Sequence, residues 1–555
     1  MKKDVFTYII GGEAGQGTKK AGIVAANLFA ELKREVFQMN DYPSLIRGGH
    51  NFSVVTTSTS KIYSHYMKAD LIVALDHESY TIHKNHLNKN GVLVFNSDKT
   101  KGKGIGIPIS SESKKYENAN LIEGVTGIAI LVACLEKDKK ILDGIIKQEY
   151  GRNIKDNHNF AHAIYDQAYD KITKRFHLKE GKNKKVTLSG SETIALGAAA
   201  AGLDIYFAYP MTPSTPVLHF FASNRKKLGV ITVQPENEIA VANMAIGTAF
   251  TGTRSMVGTS GGGFCLMQEA FSLAGMSEAP VLFYLGQRPG PSTGVPTYTE
   301  QGELLFALYP GQGEFPRLVA SPGSIEEAFH LTAELLDLVW RFQTPGILLS
   351  EKHLGESIMS VDIKVNTTKW ATPTISTSKK YQRYRNTKSG VSPLLFPPTN
   401  QLIKWNSYEH DEGGTTTEDA ELIAKMHVKR ATKIRSMTEY IKKNIKTVNV
   451  YGHKSPYIFT WGSTTMSVLE ALEYTGIKAT VVQPIYLQPF PTWELAKYKN
   501  KKSVVVEQNS TGQLEQLLKE KVGINPDLAF RQFNGRPFDP IDLGEKLKEV
   551  KVNGR

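Results

Sequence analysis

Three short segments carry the side chains with which this chain could do chemistry. Gln234-Pro235-Glu236-Asn237-Glu238 stands ahead of a run of small and apolar residues, 239–247. A helix that is apolar on nearly every face is a buried helix. Glu238 would sit in its first turn, where the helix dipole favours a carboxylate. A half-buried acid needs a partner, so Glu238 is a candidate for acid–base work, while Glu236 is better suited to plain capping. In the second segment, Arg288-Pro289-Gly290-Pro291-Ser292-Thr293-Gly294-Val295-Pro296-Thr297, a guanidinium and several hydroxyls hang on a loop stiffened by three prolines. The arginine fork grips a carboxylate with two parallel hydrogen bonds, so Arg288 suits an acidic small molecule; a structural salt bridge is the alternative. The third segment is Tyr209-Pro210-Met211-Thr212-Pro213-Ser214-Thr215. Proline has no N–H and a fixed φ, so a strand ends here in a stiff loop presenting Thr212 and Ser214 or Thr215. An ordinary proline-rich turn would read the same way.

Each segment trails a strand-like apolar run, at 205–209, 229–234 and 281–285, and a fourth, 253–258, leads into Thr259-Ser260-Gly261-Gly262-Gly263-Phe264. Loops at the carboxyl ends of buried strands are where α/β proteins place ligands. With 346–349 these runs predict a parallel central sheet in a domain over 186–355. Before it, residues 1–178 alternate strands (6–10, 51–55, 71–74, 92–95) with helical stretches, again the pattern of a parallel α/β sheet. Lys-rich 179–185 reads as a linker. From 356 to 440 periodicity fades and an extended connection is expected. Residues 441–555 return to strand and helix alternation as a third α/β domain.

The opening strand ends in Gly11-Gly12-Glu13-Ala14-Gly15-Gln16-Gly17. Glycine there lets backbone N–H groups approach a phosphate at a helix N-terminus, though a tight strand–helix turn needs the same residues. Two cysteines, Cys134 and Cys265, exclude a disulfide framework and any four-cysteine cluster or zinc site within the chain, and fit a reducing cytoplasm. His158 and His162 stand i, i+4, with nothing nearby in sequence to complete a metal site, so no metal ligands are expected. The formal charge is +13, with lysine-rich stretches such as 137–140. No nucleic-acid module surrounds them, and a basic surface could steer anionic ligands or an acidic partner. No apolar run approaches the roughly 20 residues of a membrane span, and the first residues read as a strand rather than a targeting peptide.

Taken together, the Tyr-Pro-Met-Thr-Pro loop, the Glu238 helix and the Arg288 loop resemble the 2-oxoacid:ferredoxin oxidoreductases, thiamine-dependent enzymes that oxidise 2-oxoacids to acyl-coenzyme A. Ser44-Leu45-Ile46-Arg47-Gly48-Gly49 is similar to the Arg-Gly-Gly segment of that family's γ domain, and Trp461-Gly462-Ser463 and Glu507-Gln508-Asn509 are similar to segments of its α subunit. The resemblance implies a fused γ–α large subunit of α/β class: a γ-type domain, a pyrimidine-binding domain of thiamine-dependent type, and a transketolase C-terminal-like domain. It implies that Glu238 bonds the pyrimidine ring of thiamine diphosphate and promotes its activation. Tyr209, Pro210, Thr212 and Ser214 would lie on the thiamine and coenzyme A side. Arg288, Thr297 and Thr212 would hold substrate, and Gly15, Gly17 and Arg47 would lie on the coenzyme A side. Gly262 departs from the family's Ser-Gly-Pro-Gly.

No Gly-Asp-Gly with a following Asn-containing stretch and no Cys-x-x-Cys occurs. The resemblance therefore implies a β subunit that brings the Mg2+-diphosphate half of the thiamine site and a [4Fe-4S] cluster, in an αβ or (αβ)2 assembly, with ferredoxin as electron acceptor and 2-oxoglutarate or a broader range including pyruvate as substrate. Two rivals share parts of the pattern. A transketolase- or synthase-like thiamine subunit would lack electron transfer, and a non-catalytic coenzyme A-binding module would share the glycine-rich turns. No nucleic acid or membrane partner is expected.

Overall fold

The computed structural model describes residues 3–44, 48–117, 119–365 and 369–552. Three sheets organise them. The middle one runs, edge to edge, Tyr486–Gln488, Leu318–Ala320, Gly346–Glu351, Val281–Gln287, Ser255–Thr259, Ile205–Ala208, Ile231–Val233. All its pairings are parallel except that of Tyr486–Gln488, a strand lent by the C-terminal region. The central strands are buried along their whole length. Helices cover both faces of such a sheet, which is why its strands read as unbroken apolar runs.

The first sheet departs from the parallel pattern expected of it. From Ile105–Ile107 through Leu87–Asn96 and Ala69–Ala74 to Val5–Glu13 it is parallel; from there through His50–Ser58, Glu35–Asp41, Ile358–Val361 and Val186–Ser189 it is antiparallel. Only eight residues separate Glu35–Asp41 from His50–Ser58, and a parallel pair needs a crossover of about a dozen residues or more. The two outermost strands belong to the chain leading into and out of the middle domain, so the seams near 186 and 356 are stitched into the first sheet. The third sheet orders Val448–Tyr451, Thr480–Pro484, Tyr457–Phe459, Ser503–Glu507, Leu528–Arg531, with only its first pairing antiparallel.

The segment expected as an extended connection ends in a helix, Ala420–Asn444. Its hydrophobic periodicity is hidden because the inward stripe is Met426, Lys429, Arg430, Lys433, Met437 and Ile441. Lys429 Nζ lies 2.6 Å from Glu278 Oε1, Lys433 pairs with the other carboxylate oxygen, and all three side chains are buried. Arg383, also fully buried, donates to the carbonyls of Ser277 and Glu278 at 3.0 and 2.8 Å. Two ammonium groups hold Glu278 far below the usual carboxylate range against the cost of burial, and one carboxylate cannot fully serve both, so burial lowers Lys433 to about 7. Breaking one partner of such a buried set costs about 3–5 kcal/mol. The cluster therefore straps the connection onto the middle domain. No helix among the described residues is long and apolar enough to cross a membrane.

Candidate functional site

The site is built where four parallel strands of the middle sheet end. Asn237 caps the helix Glu238–Phe250, its side-chain oxygen accepting from Ala240 N at 2.9 Å. This fixes Glu238 as the first helical residue, 5% exposed, and its carboxylate makes no hydrogen bond among the described residues. Glu236 is exposed and makes no cap. Gly263, in the helix Gly261–Leu266, passes so close that a Cβ there would stand 2.9 Å from Glu238 Cγ, 3.0 Å from Oε1 and 2.3 Å from Thr259 Oγ1. Gly263, in the first turn of that helix, is thus close-packed as a wall beside the acid.

The helix bearing Glu238 is not buried on all sides, contrary to the expectation from its composition. Val241, Ala242, Ala245, Ile246 and Ala249 face the core, while Ile239 and Met244 are 51% and 44% exposed. Leu266, at the end of the helix Gly261–Leu266, is 54% exposed, and Val295 and Tyr209 on neighbouring loops are exposed at 43% and 38%. Apolar side chains on both faces of a helix produce the same sequence whether the second face meets the same chain or another.

Arg288 Nη1 donates to the carbonyl of Thr212 at 2.8 Å, joining the loop after Val281–Gln287 to the proline-rich loop after Ile205–Ala208. Arg288 makes no ion pair among the described residues, so the salt-bridge alternative is not what the structure holds; burial lowers its pKa and the charge of Glu303 opposes that. Thr297 is buried with its hydroxyl unpartnered. Ser214 differs: its hydroxyl donates to Met211 O at 2.8 Å and closes the turn. Tyr209 and Pro210 are exposed and Thr212 is half-buried with a free hydroxyl.

Sequence reasoning missed Glu303. A Cβ at Gly261 would run into its carboxylate, and its Oε2 is buried without a partner. Burial pushes its carboxyl up to about 8, against the pull of Arg288. Nothing in its local sequence marks it, since its side chain does not cap the helix it precedes.

The first domain contributes differently. Gly15 and Gly17 have φ of 96° and 73° and open the helix Thr18–Glu31. A Cβ at Gly17 would stand 2.7 Å from Gly124 Cα, and Gln16 Nε2 donates to buried Glu123 at 3.1 Å. The glycine turn is therefore packed against the turn Glu123–Val125. Arg47 lies outside the described residues. Gly49, two residues beyond it, lines a cavity of about 950 Å³ between the first sheet and the C-terminal region, with Phe52, His50, Tyr298, Arg536 and Lys546 also in its wall. Arg536 stacks 3.6 Å from the Tyr298 ring centre and pairs with Asp41 at 2.7 Å. The structure does not bring Gly15 or Gly17 into that lining.

The C-terminal motifs make in-chain contacts. Glu507 accepts from Leu514 N and Asn509 Nδ2 at 2.9 and 2.7 Å, and His410 packs on Tyr384 with its Nδ1 on Tyr408 O at 2.8 Å.

The family described as "Pyruvate flavodoxin/ferredoxin oxidoreductase, thiamine diP-bdg" matches residues 196–429, the stretch that holds Glu238, Arg288 and Thr297. That described as "Pyruvate ferredoxin/flavodoxin oxidoreductase" matches residues 7–167. The 2-oxoglutarate synthase subunit KorA of Archaeoglobus fulgidus is 30% identical over 65% of this chain and 97% of its own length. The chain belongs to the 2-oxoacid:ferredoxin oxidoreductase family. The alpha subunit of the Saccharolobus solfataricus 2-oxoacid:ferredoxin oxidoreductase is 29% identical over 99% of this chain and 98% of its own. Among solved structures, the 2-oxoglutarate:ferredoxin oxidoreductase of Magnetococcus marinus, with 2-oxoglutarate, coenzyme A and succinyl-CoA bound, superposes with a TM-score of 0.89 at 28% identity, covering 99% of this chain and all of that one. This 2-oxoacid:ferredoxin oxidoreductase chain is an alpha-type subunit with a thiamine diphosphate-binding domain of the α/β class.

Proposed function

We propose that this alpha subunit works with a β subunit carrying the Mg2+-diphosphate half of the thiamine site and an iron–sulfur cluster, in the cytoplasm, to convert a 2-oxoacid and coenzyme A into acyl-coenzyme A, CO2 and reduced ferredoxin. The observation that carries this reading is Glu238, a buried carboxylate at a helix N-terminus with no partner in its own chain. It fits a group with which it can share a proton, as the pyrimidine ring nitrogen of thiamine diphosphate would. Thiamine diphosphate, when bound, supplies the carbanion that attacks the 2-oxo carbon.

This chain's residues would then hold and orient. Glu238 would keep a proton shared with the pyrimidine ring nitrogen, and the close-packed Gly263 would keep bulk away from that acid. Arg288, anchored through one nitrogen to Thr212 O, turns the rest of its fork to the substrate carboxylate. Thr297 and Thr212 offer hydroxyls to substrate or coenzyme A. The exposed apolar side chains Ile239 and Met244 on the Glu238 helix, with Leu266 and Val295 on neighbouring segments, would form the surface on which the β subunit closes the site. Coenzyme A would approach from the first domain, where the cavity behind Gly49 has the roughly 300–1,000 Å³ typical of small-molecule sites and offers Tyr298 and Phe52 for stacking, Arg536 and Lys546 for phosphates. Preference between 2-oxoglutarate and pyruvate is set where the partner completes the pocket, and 2-oxoglutarate is favoured by the Magnetococcus relative.

The test is Glu238→Gln in the complex reconstituted with its β subunit. An amide cannot share the required proton, so turnover should fall by ~10²–10⁴-fold while the two subunits still co-elute. A variant with near-normal turnover on a panel of 2-oxoacids refutes the assignment.

A further inference from the structure

Two imidazoles and a carboxylate converge on the outside of the first domain, away from every residue used above. The helix Lys139–Glu149 carries Asp143, and the helix Ile154–Lys171 carries His158 and His162 one turn apart. Residues four apart on a helix lie over one another on one face. The hairpin between the two helices brings Asp143 against both rings. Its Oδ1 lies 2.6 Å from His162 Nε2 and 3.0 Å from His158 Nε2. The rings stack with centroids 4.0 Å apart, so both Nε2 atoms point at the same oxygen.

Sequence spacing alone left the two histidines without a third ligand. The missing one comes from the neighbouring helix, 15 residues before His158. Among the described residues this is the set of three His, Cys, Asp or Glu side chains whose ligand atoms all lie within 4.8 Å of one another. We propose that Asp143, His158 and His162 form a binding site for a divalent transition-metal ion of the zinc type.

The donor set selects the ion class. Two imidazole nitrogens and one carboxylate oxygen suit Zn2+ or its neighbours. Ca2+ and Mg2+ take oxygen ligands, and no thiolate is present to favour soft ions. Bonds of about 2.0–2.2 Å at tetrahedral angles set ligand atoms about 3.3 Å apart. The observed 2.6 and 3.0 Å need to open by about 0.7 and about 0.3 Å to reach that separation. The side chains are 41%, 25% and 40% exposed for His158, His162 and Asp143, so they can move that far, and the solvent side offers water as a fourth ligand. A bound ion would clip the two helices together at the end of the domain.

The experiment is titration of ZnCl2 into the full-length chain in complex with its β subunit, in competition with a chromophoric chelator. It is run on wild type, on Asp143→Asn and on a His158→Ala/His162→Ala double variant. Wild type should take up one Zn2+ per chain. Asp143→Asn should bind at least about tenfold more weakly, since even outer-sphere partners of a metal are worth 10–100-fold. The double variant should lose that equivalent altogether. Zn2+ should raise the melting temperature of wild type and not of the double variant, and all three should match in melting temperature and turnover without added metal. Failure of wild type to compete for Zn2+, or an unchanged equivalent in the double variant, would overturn the proposal. The second outcome would move the ion to another cluster, such as the linked His50, His83 and His86.

Discussion

Gly263→Ala is a perturbation whose size can be worked out from contacts. The new Cβ would stand 2.3 Å from Thr259 Oγ1, 2.9 Å from Glu238 Cγ and 3.0 Å from Glu238 Oε1. Heavy atoms prefer about 3.5–4.0 Å. The threonine hydroxyl must therefore retreat by about 1 Å and the glutamate by about half that. Overpacking of this kind costs ~1–3 kcal/mol, which a domain with a sheet buried on both faces can absorb. Catalysis is less forgiving: a 1 Å displacement of a reacting group costs ~10²-fold, so a shift of about half that predicts roughly a tenfold loss or more. The neighbouring glycine is the control. At Gly262 the nearest atom to a new Cβ is Ser292 O at 3.9 Å, so Gly262→Ala should be silent. The assay is the rate of ferredoxin or dye reduction by the reconstituted complex at saturating 2-oxoacid and coenzyme A, with melting temperature and subunit co-elution measured alongside. Turnover above half of wild type in an assembled Gly263→Ala complex would refute the link between this wall and Glu238. So would a Gly262→Ala variant that is the more damaged of the two.

Arg288→Lys keeps the charge and loses the fork, and Arg288→Ala loses both. A charge-assisted hydrogen bond is worth about 1.5–3 kcal/mol, so kcat/KM for the 2-oxoacid should fall roughly ten- to a hundredfold, with KM for coenzyme A little changed; steady-state kinetics with each substrate varied checks this. Glu303 makes a pH prediction. Its folded-state pKa of about 8 lies above the ordinary 4.5 because of burial, so between those values the folded chain holds a proton that the unfolded chain has released. Stability from this group should therefore fall with rising pH by up to about 1.4 kcal/mol per unit across that window. Glu303→Gln should flatten the slope of melting temperature against pH between 5 and 8, and an unchanged slope would contradict the assignment.

Much of the middle domain was legible in the chain order of its residues. Strands buried on both faces must be apolar at every position, and prolines and glycines punctuate their ends. So Thr212, Glu238, Gly261–Gly263 and Arg288 could be placed just beyond strand ends without coordinates. What the residues could not disclose was which groups meet across those loops. Arg288 on Thr212 O, Glu303 behind Gly261 and the gap beside Glu238 depend on the lateral order of parallel strands, which local pattern does not encode. The antiparallel half of the first sheet was hidden because alternating strands and helices do not state direction; the shortness of the stretch of chain between Glu35–Asp41 and His50–Ser58 does. The helix Ala420–Asn444 was hidden because its buried stripe is cationic and makes sense only once Glu278 is seen beneath it. The apolar faces of the Glu238 helix looked wholly buried for a similar reason: residue type reports that a surface avoids water, and only tertiary structure tells which part of it the chain covers by itself.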